Sequence, residues 1–316
     1  MMTTWDRTHG APKAASAGMA VGMLLLAALF WGSGNVASKT VLLDLDPLTV
    51  VVLRHLIALG ALLPFALRER GAPMQLRAWL QSVLPACLFY AGAVIAQQVG
   101  YQTASVTNAS FLVNSACVLT AVVAVVVFGE RLQLPVALAA VLTLVGALLM
   151  SGDTLGWAGF SPGDLLCLVS ACLYAGWTVT AGRHIRRHAR PFAATMAQCA
   201  AAACVAAPFA FAADPGLVRN WAGALPELSY LGLASTAAAI ALTSAAQRVI
   251  SASVTAILVS AESLFGAAGG VIWLGERPGP SAIVGAAVIT LAILLVFWPA
   301  RRRPLHAPEI GAAPDI

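Results

Sequence analysis

Long apolar windows, rather than an alternation of apolar and polar positions, dominate this chain. Ten of them have the roughly 17 to 25 residues a helix needs to cross a bilayer. They fall at 19–39, 47–67, 78–98, 105–128, 134–151, 163–182, 191–212, 225–246, 252–274 and 280–298. Charged or Pro/Gly-rich links separate nearly all of them, and the weakest break is "VGYQTAS" between the third and fourth. The pattern predicts an all-α membrane protein of ten transmembrane helices.

The links set the direction of the chain, because loops rich in Lys and Arg stay in the cytoplasm. With the N-terminus inside, Arg7, Lys13, Arg68, Arg70, Arg77, Arg131, Arg183, Arg186, Arg187, Arg190, Arg248, Arg301, Arg302 and Arg303 are all cytoplasmic. Only Lys39, Arg219 and Arg277 fall outside, so fourteen against three predicts N-in and C-in. Lys39 and Arg183 stand at equivalent helix ends, as anchors at the membrane boundary or as charges at each mouth of a pathway.

Composition agrees: 60% of 316 residues are hydrophobic and 10% charged, with a mean hydropathy of +0.86. The formal charge of +5 is spread over short loops and builds no nucleic-acid surface. Cys87, Cys117, Cys167, Cys172, Cys199 and Cys204 all lie in apolar windows without metal spacing and are expected as free, buried thiols. The small residues before the first window do not follow an apolar run as a cleavage site would, so that span is expected to be retained.

The chain also repeats itself. Gly32, Lys39, Pro47, Pro64 and Phe65 recur as Gly176, Arg183, Pro191, Pro208 and Phe209 at a shift of 144, while "ASVT" at 104 recurs at 252 and "GER" at 129 recurs at 275. Two halves of five spans follow, and an odd number per half inverts the second copy in the membrane. The expected units are an N-terminal tail (1–18), a first repeat (19–151), a second repeat (163–298) and a C-terminal tail (299–316), both tails cytoplasmic. Inverted repeats about a midplane site characterise many secondary transporters.

These segments resemble the EamA family of the drug/metabolite transporter superfamily over nearly the whole chain. The residues that carry the likeness are "FWGSGNVASK" and "DPLTVVVLRHLIALGALLPF" in the first half and the stretch from "STAAAIALTSAAQRV" through "LGERPGPSAIVGAAV" in the second. The resemblance implies a ten-helix carrier of small metabolites, often amino acids or drugs and usually outward, with a leaning to amino-acid exporters of the YddG type. Where many members read Leu-Glu-Pro, this chain reads "AESLF" at 261–265, which removes the proline as a source of a helix break.

A charge at the bilayer centre costs a few kcal/mol even on the lenient scale. Glu262, the only acid well inside a span, sits about ten residues or roughly 15 Å into the ninth helix, near the midplane. Arg54 and His55 lie roughly 10 Å below the outer end of the second, within reach of it. Glu262 either binds a proton or substrate amine and couples it to opening, or stays ionised, neutralised by Arg54 or capped by neighbouring hydroxyls, and holds helices together. Gly266, Gly269 and Gly270 beside it, with Thr255 on the same stripe, and Gly32 and Gly176 in the matching first and sixth spans, are candidates for close packing or hinging.

Uncharged polar groups gather in corresponding spans: Trp31 and Asn35; Tyr90 and Gln97; Ser110 and Asn114; Tyr174, Trp177 and Thr178. Singly each suits an interhelical hydrogen bond; together they suggest an aromatic-walled cavity for an amino acid or amphipathic amine.

No paired carboxylates, activated nucleophile or metal cluster indicates an enzyme, with His9, His184, His188 and His306 assigned to loops or tails. No GxxxxGK[ST] loop indicates ATP-driven transport. The expectation is therefore a secondary transporter in the bacterial inner membrane. Its partners are a small-molecule substrate, membrane lipid and protons as coupling ions, with no cofactor, metal or nucleic acid. Ten spans can enclose a cavity, so a monomer suffices. The alternatives are a channel-like facilitative pore and an antiporter of nucleotide sugars or other metabolites.

Overall fold

Wherever an apolar window is described, it is helical. A computed structural model of the chain describes residues 14–69, 75–104, 112–127, 129, 133–151, 161–213, 223–275 and 277–297. The helices are α1 (Ala14–Val41), α2 (Pro47–Arg68), α3 (Leu76–Gly100), α4 (Ala116–Val126), α5 (Leu134–Ser151), α6 (Pro162–His188), α7 (Pro191–Ala213), α8, α9 and α10 (Pro280–Phe297). α8 is one rod of three pieces, Leu225–Tyr230, Leu231–Ala238 and Ala239–Ala246, the middle one wound as a π-helix. α9 has two pieces, Ala252–Val259 and Glu262–Leu274.

Among the described residues there are no strands. Seven helices are long and apolar enough to cross a membrane, and three shorter apolar ones, Leu112–Val126, Leu134–Met150 and Pro280–Val296, accompany them. The chain is thus an all-helical, multi-pass membrane protein. Its surface fits that solvent: Leu84, Leu88, Val141, Phe209, Leu291 and Leu294 are exposed, while Gln98, Gln198, Thr195 and Thr236 are buried.

Some expectations are corrected. α1 begins at Ala14 rather than 19, and α6 continues to His188 rather than 182, because Arg186, Arg187 and His188 suit the negative end of the helix dipole. His184, assigned to a loop, is therefore helical and buried, with its ring 5.3 Å from Trp79 and Nδ1 3.0 Å from the Ser82 hydroxyl. Of the six free cysteines, Cys172 and Cys204 are exposed on the outer faces of α6 and α7 instead of buried. Both expected tails lie largely outside the described residues.

Helix ends are capped by means the sequence shows only in part. Asp46 accepts from the Leu48 and Thr49 N–H groups at the start of α2, at 2.9 and 3.3 Å. Ser161 and Asp164 form a capping box on α6. At the repeat-related start of α7 the residue matching Asp46 is Arg190, which cannot accept. Glu69 from the end of α2 does so instead, accepting from Phe192 and Ala193 N–H at 2.9 Å each. This bond and the stacked Phe65 and Phe192 rings, 5.3 Å apart, tie α2 to α7.

Lipid gives apolar helices no reason to associate, so close packing must hold them. α3 lies along α6, α5 along α10, α2 along α7, and α1 against both α8 and α9; α4 contacts α6 and α9. One apolar cluster joins Leu24, Ala140, Ile257 and Ile289, from α1, α5, α9 and α10. A second joins Val51, Tyr90, Trp177, Cys199 and Ile240, from α2, α3, α6, α7 and α8.

Candidate functional site

A cavity of about 110 Å³ lies between helices of both halves. It is lined by Trp31 and Asn35 of α1, Arg54 of α2, Tyr90 and Gln97 of α3, Asn114 just before α4, Tyr174, Trp177 and Thr178 of α6, and Glu262 of α9. So all but one of the predicted cavity residues face one space; Ser110 lies outside the described residues, as does the Lys39 side chain.

One wall is aromatic and centres on Trp177. Its ring lies 5.5 Å from Tyr90, 5.9 Å from Tyr174 and 6.2 Å from Trp31, in tilted or edge-on geometries that aromatic quadrupoles favour. The indole N–H donates to Gln198 Oε1 at 2.7 Å, fixing the ring from behind. A second strip is polar: the Tyr174 hydroxyl donates to Gln97 Oε1 at 2.7 Å, and Gln97 Nε2 donates to the Tyr101 hydroxyl at 2.8 Å. The Thr178 hydroxyl is turned back onto the Tyr174 carbonyl at 2.8 Å, so within the wall it serves its own helix.

Glu262 opens the second piece of α9, beside a break that persists without proline. Ala261, Ser263 and Leu264 N–H groups bond back three residues, at 3.3, 3.1 and 3.0 Å. The Ser260 hydroxyl donates to the Ile257 carbonyl at 2.6 Å, competing with the regular ladder. The Glu262 carboxyl takes a hydrogen bond from Asn35. Asn114 donates to the Ser263 hydroxyl, bringing α4 to the same break.

Arg54 reaches the cavity but bonds neutral groups, Nε to Thr236 Oγ1 at 2.8 Å and Nη2 to Ser235 Oγ at 3.4 Å. Both hydroxyls are in the π-wound piece of α8, whose wider turn brings consecutive side chains onto one guanidinium. His55 stands behind the wall. Its Nδ1 is 2.6 Å from the Val51 carbonyl, which can only accept, so Nδ1 carries a hydrogen, and Nε2 shares a hydrogen bond with the Tyr90 hydroxyl at 2.9 Å. Neither residue bonds Glu262 in this arrangement.

The glycines differ in what they allow. A Cβ on Gly32 would strike the Glu262 carbonyl oxygen, with Gly266 N at 2.8 Å and Phe265 Cβ at 2.9 Å, so α1 and α9 touch backbone to backbone. One on Gly176 would meet the Phe89 ring first, at 2.8 to 3.0 Å. Gly269 and Gly270 are buried farther along α9.

The lining also includes Ser38, Gln98, Tyr101, Thr120, Ser235 and Ser260, which sequence reading passed over. The adjacent amides "QQ" at 97–98 and Tyr101 one turn on were the available signal. Gln98 Nε2 and Thr120 Oγ1 are buried without a partner. Among the described residues no group of three or more His, Cys, Asp or Glu side chains is arranged to hold a metal.

A multi-pass helical membrane protein with a polar, aromatic-walled central cavity is built to handle a small molecule within the membrane. Residues 18–152 and 161–298 each match the EamA-like transporter family, and the chain belongs to that family, within the drug/metabolite transporter superfamily. It is 27% identical over 278 residues to an uncharacterized transporter of Archaeoglobus fulgidus, covering 86% of this chain and 84% of the relative. It is 25% identical over 287 residues to the uncharacterized transporter YwfM of Bacillus subtilis, covering 89% and 94%. A protein crystal structure shares the fold with a TM-score of 0.72 at 17% identity, covering 90% of this chain and 98% of that one. The chain is a membrane transporter, which implies a small-molecule substrate and a lipid environment.

Proposed function

We propose that this chain is a secondary transporter that exports amino acids or amphipathic amines, in the manner of the YddG-type exporters, by alternating access of two inverted five-helix repeats. The repeats are 19–151 and 163–298, with both termini in the cytoplasm of a bacterial cell and the helices in its inner membrane. The observation that carries this reading is the cavity, because residues from both halves line it. Helix packing supports the symmetry: exchanging α1–α5 for α6–α10 turns α3 with α6 into α8 with α1, and α1 with α9 into α6 with α4, while α2 with α7, α5 with α10 and α4 with α9 return themselves. The charge of the loops supports the orientation. One chain supplies the cavity's lining from both halves, so a monomer suffices.

In this reading the substrate ammonium sits against the aromatic wall and near Glu262, and a proton competes for the same carboxyl. The Tyr90, Tyr101 and Tyr174 hydroxyls, the Cys117 thiol and Arg54 are the other ionisable groups lining the cavity. Glu262→Gln is therefore expected to lose most transport in proteoliposomes, and what remains should not change between two pH values. Unchanged transport and an unchanged pH profile would remove the coupling role.

A further inference from the structure

We infer that the cavity selects zwitterions over singly charged molecules, with Arg54 holding a substrate carboxylate and Glu262 its ammonium. This rests on the transporter reading above and narrows it from amines and amino acids to amino acids and their like.

The case begins with the cost of Arg54. It is 8% exposed in the membrane interior, where a guanidinium needs a strong reason to be. The bonds it makes use two of its five N–H groups, and both go to neutral hydroxyls. Its charge is not cancelled by those partners, and it faces the cavity.

Packing does not require a cation at this position. Pro47 and Pro64 bracket Arg54 as Pro191 and Pro208 bracket its counterpart at the shift of 144, which is Gln198. Gln198 is fully buried and serves the equivalent place with a neutral amide that accepts from Trp177. So the first half carries a positive charge where the second does without one.

Glu262 presents the opposite sign, and its hydrogen bond also comes from a neutral group, the Asn35 amide. Arg54, Tyr174 and Glu262 all line the one cavity, so the two groups address one volume. The amide nitrogen of Gln98, 1% exposed and without an acceptor, adds a donor to the lining. A molecule carrying a carboxylate and an ammonium satisfies what the protein leaves unmatched; an amine or an acid satisfies half of it and leaves a buried charge unpaired. The aromatic wall then meets both the ammonium and the side chain beside it.

The test is ligand binding by the full purified chain, read as thermal stabilisation. The ligands are leucine and phenylalanine with their decarboxylated forms, isoamylamine and phenethylamine, and their deaminated forms, 4-methylpentanoate and 3-phenylpropionate. The wild type should prefer the amino acids by about tenfold to a hundredfold, the worth of one charge-assisted hydrogen bond. Arg54→Gln should bind the amino acid no better than the amine while keeping the wild-type affinity for the amine, and Glu262→Gln should show the mirror result with the acid. Equal wild-type affinity for amine and amino acid, no binding of any of the six, or equal weakening of amine and amino acid by Arg54→Gln would overturn the inference; the wild-type comparison stands even if a variant fails to fold. Amino-acid preference without counterflow in proteoliposomes would instead remove the carrier reading and leave the zwitterion site, whereas counterflow without that preference would do the reverse.

Discussion

Replacing Gly32 with alanine is expected to cut transport at least about tenfold, and replacing it with leucine to abolish it. The cause is local. The added Cβ meets the backbone of Glu262 and Gly266 rather than a movable side chain, so α1 and α9 have to separate. Overpacking of this kind costs about 1–3 kcal/mol, and here the displaced residue is the cavity's own carboxylate. Gly176→Ala should lose much less, because the Phe89 ring it meets can tilt away. Gly60→Ala, with nothing within 4 Å of the new methyl group, serves as the unaffected control. Initial rates in proteoliposomes, beside melting temperatures in detergent, rank the three; full transport by Gly32→Ala would contradict the assignment of this contact.

Trp177→Ala should be the most destabilising substitution in the cavity wall. It removes the ring shared by Trp31, Tyr90 and Tyr174 and strips Gln198 Oε1 of its donor. Truncating a buried Trp costs about 3–5 kcal/mol. Trp177→Phe isolates the second part: the ring contacts largely remain, and a buried carbonyl oxygen left unsatisfied costs about 1–3 kcal/mol. Gln198 would be left poorly satisfied at both ends, since its Nε2 already lacks a partner. Thermal unfolding in detergent should order the chains as wild type, Phe, Ala, with the Ala variant also losing substrate binding. A Trp177→Ala protein as stable as wild type would mean that the ring cluster does not hold the wall together.

The helices were legible because lipid imposes a blunt rule: about twenty apolar residues in a row have few other uses. The cavity was legible for the same reason, since Trp31, Asn35, Tyr90, Gln97 and Glu262 stand out against that background and have to turn inward. What the sequence hid was local winding and partner choice. The break beside Glu262 was tied to a missing proline, yet it is present without one, with the Ser260 hydroxyl bonded back to the Ile257 carbonyl and backbone N–H groups bonding back three residues. Nothing in "LGLASTAA" announces a π-helix, so Ser235 and Thr236 gave no sign of being partners to Arg54. Pairing by charge sent Arg54 and His55 to Glu262, whereas hydroxyl groups one helix away were nearer for the first and Tyr90 for the second. The cap that Glu69 gives α7 joins residues more than a hundred positions apart and has no sequence signature.

The central claim, a carrier with one cavity served by two halves, is tested most directly by counterflow in proteoliposomes holding the purified chain. Uptake of a labelled amino acid should saturate with concentration and rise when unlabelled substrate is loaded inside. Flux that grows without saturation, or no counterflow with any amino acid or amine tested, would contradict the account.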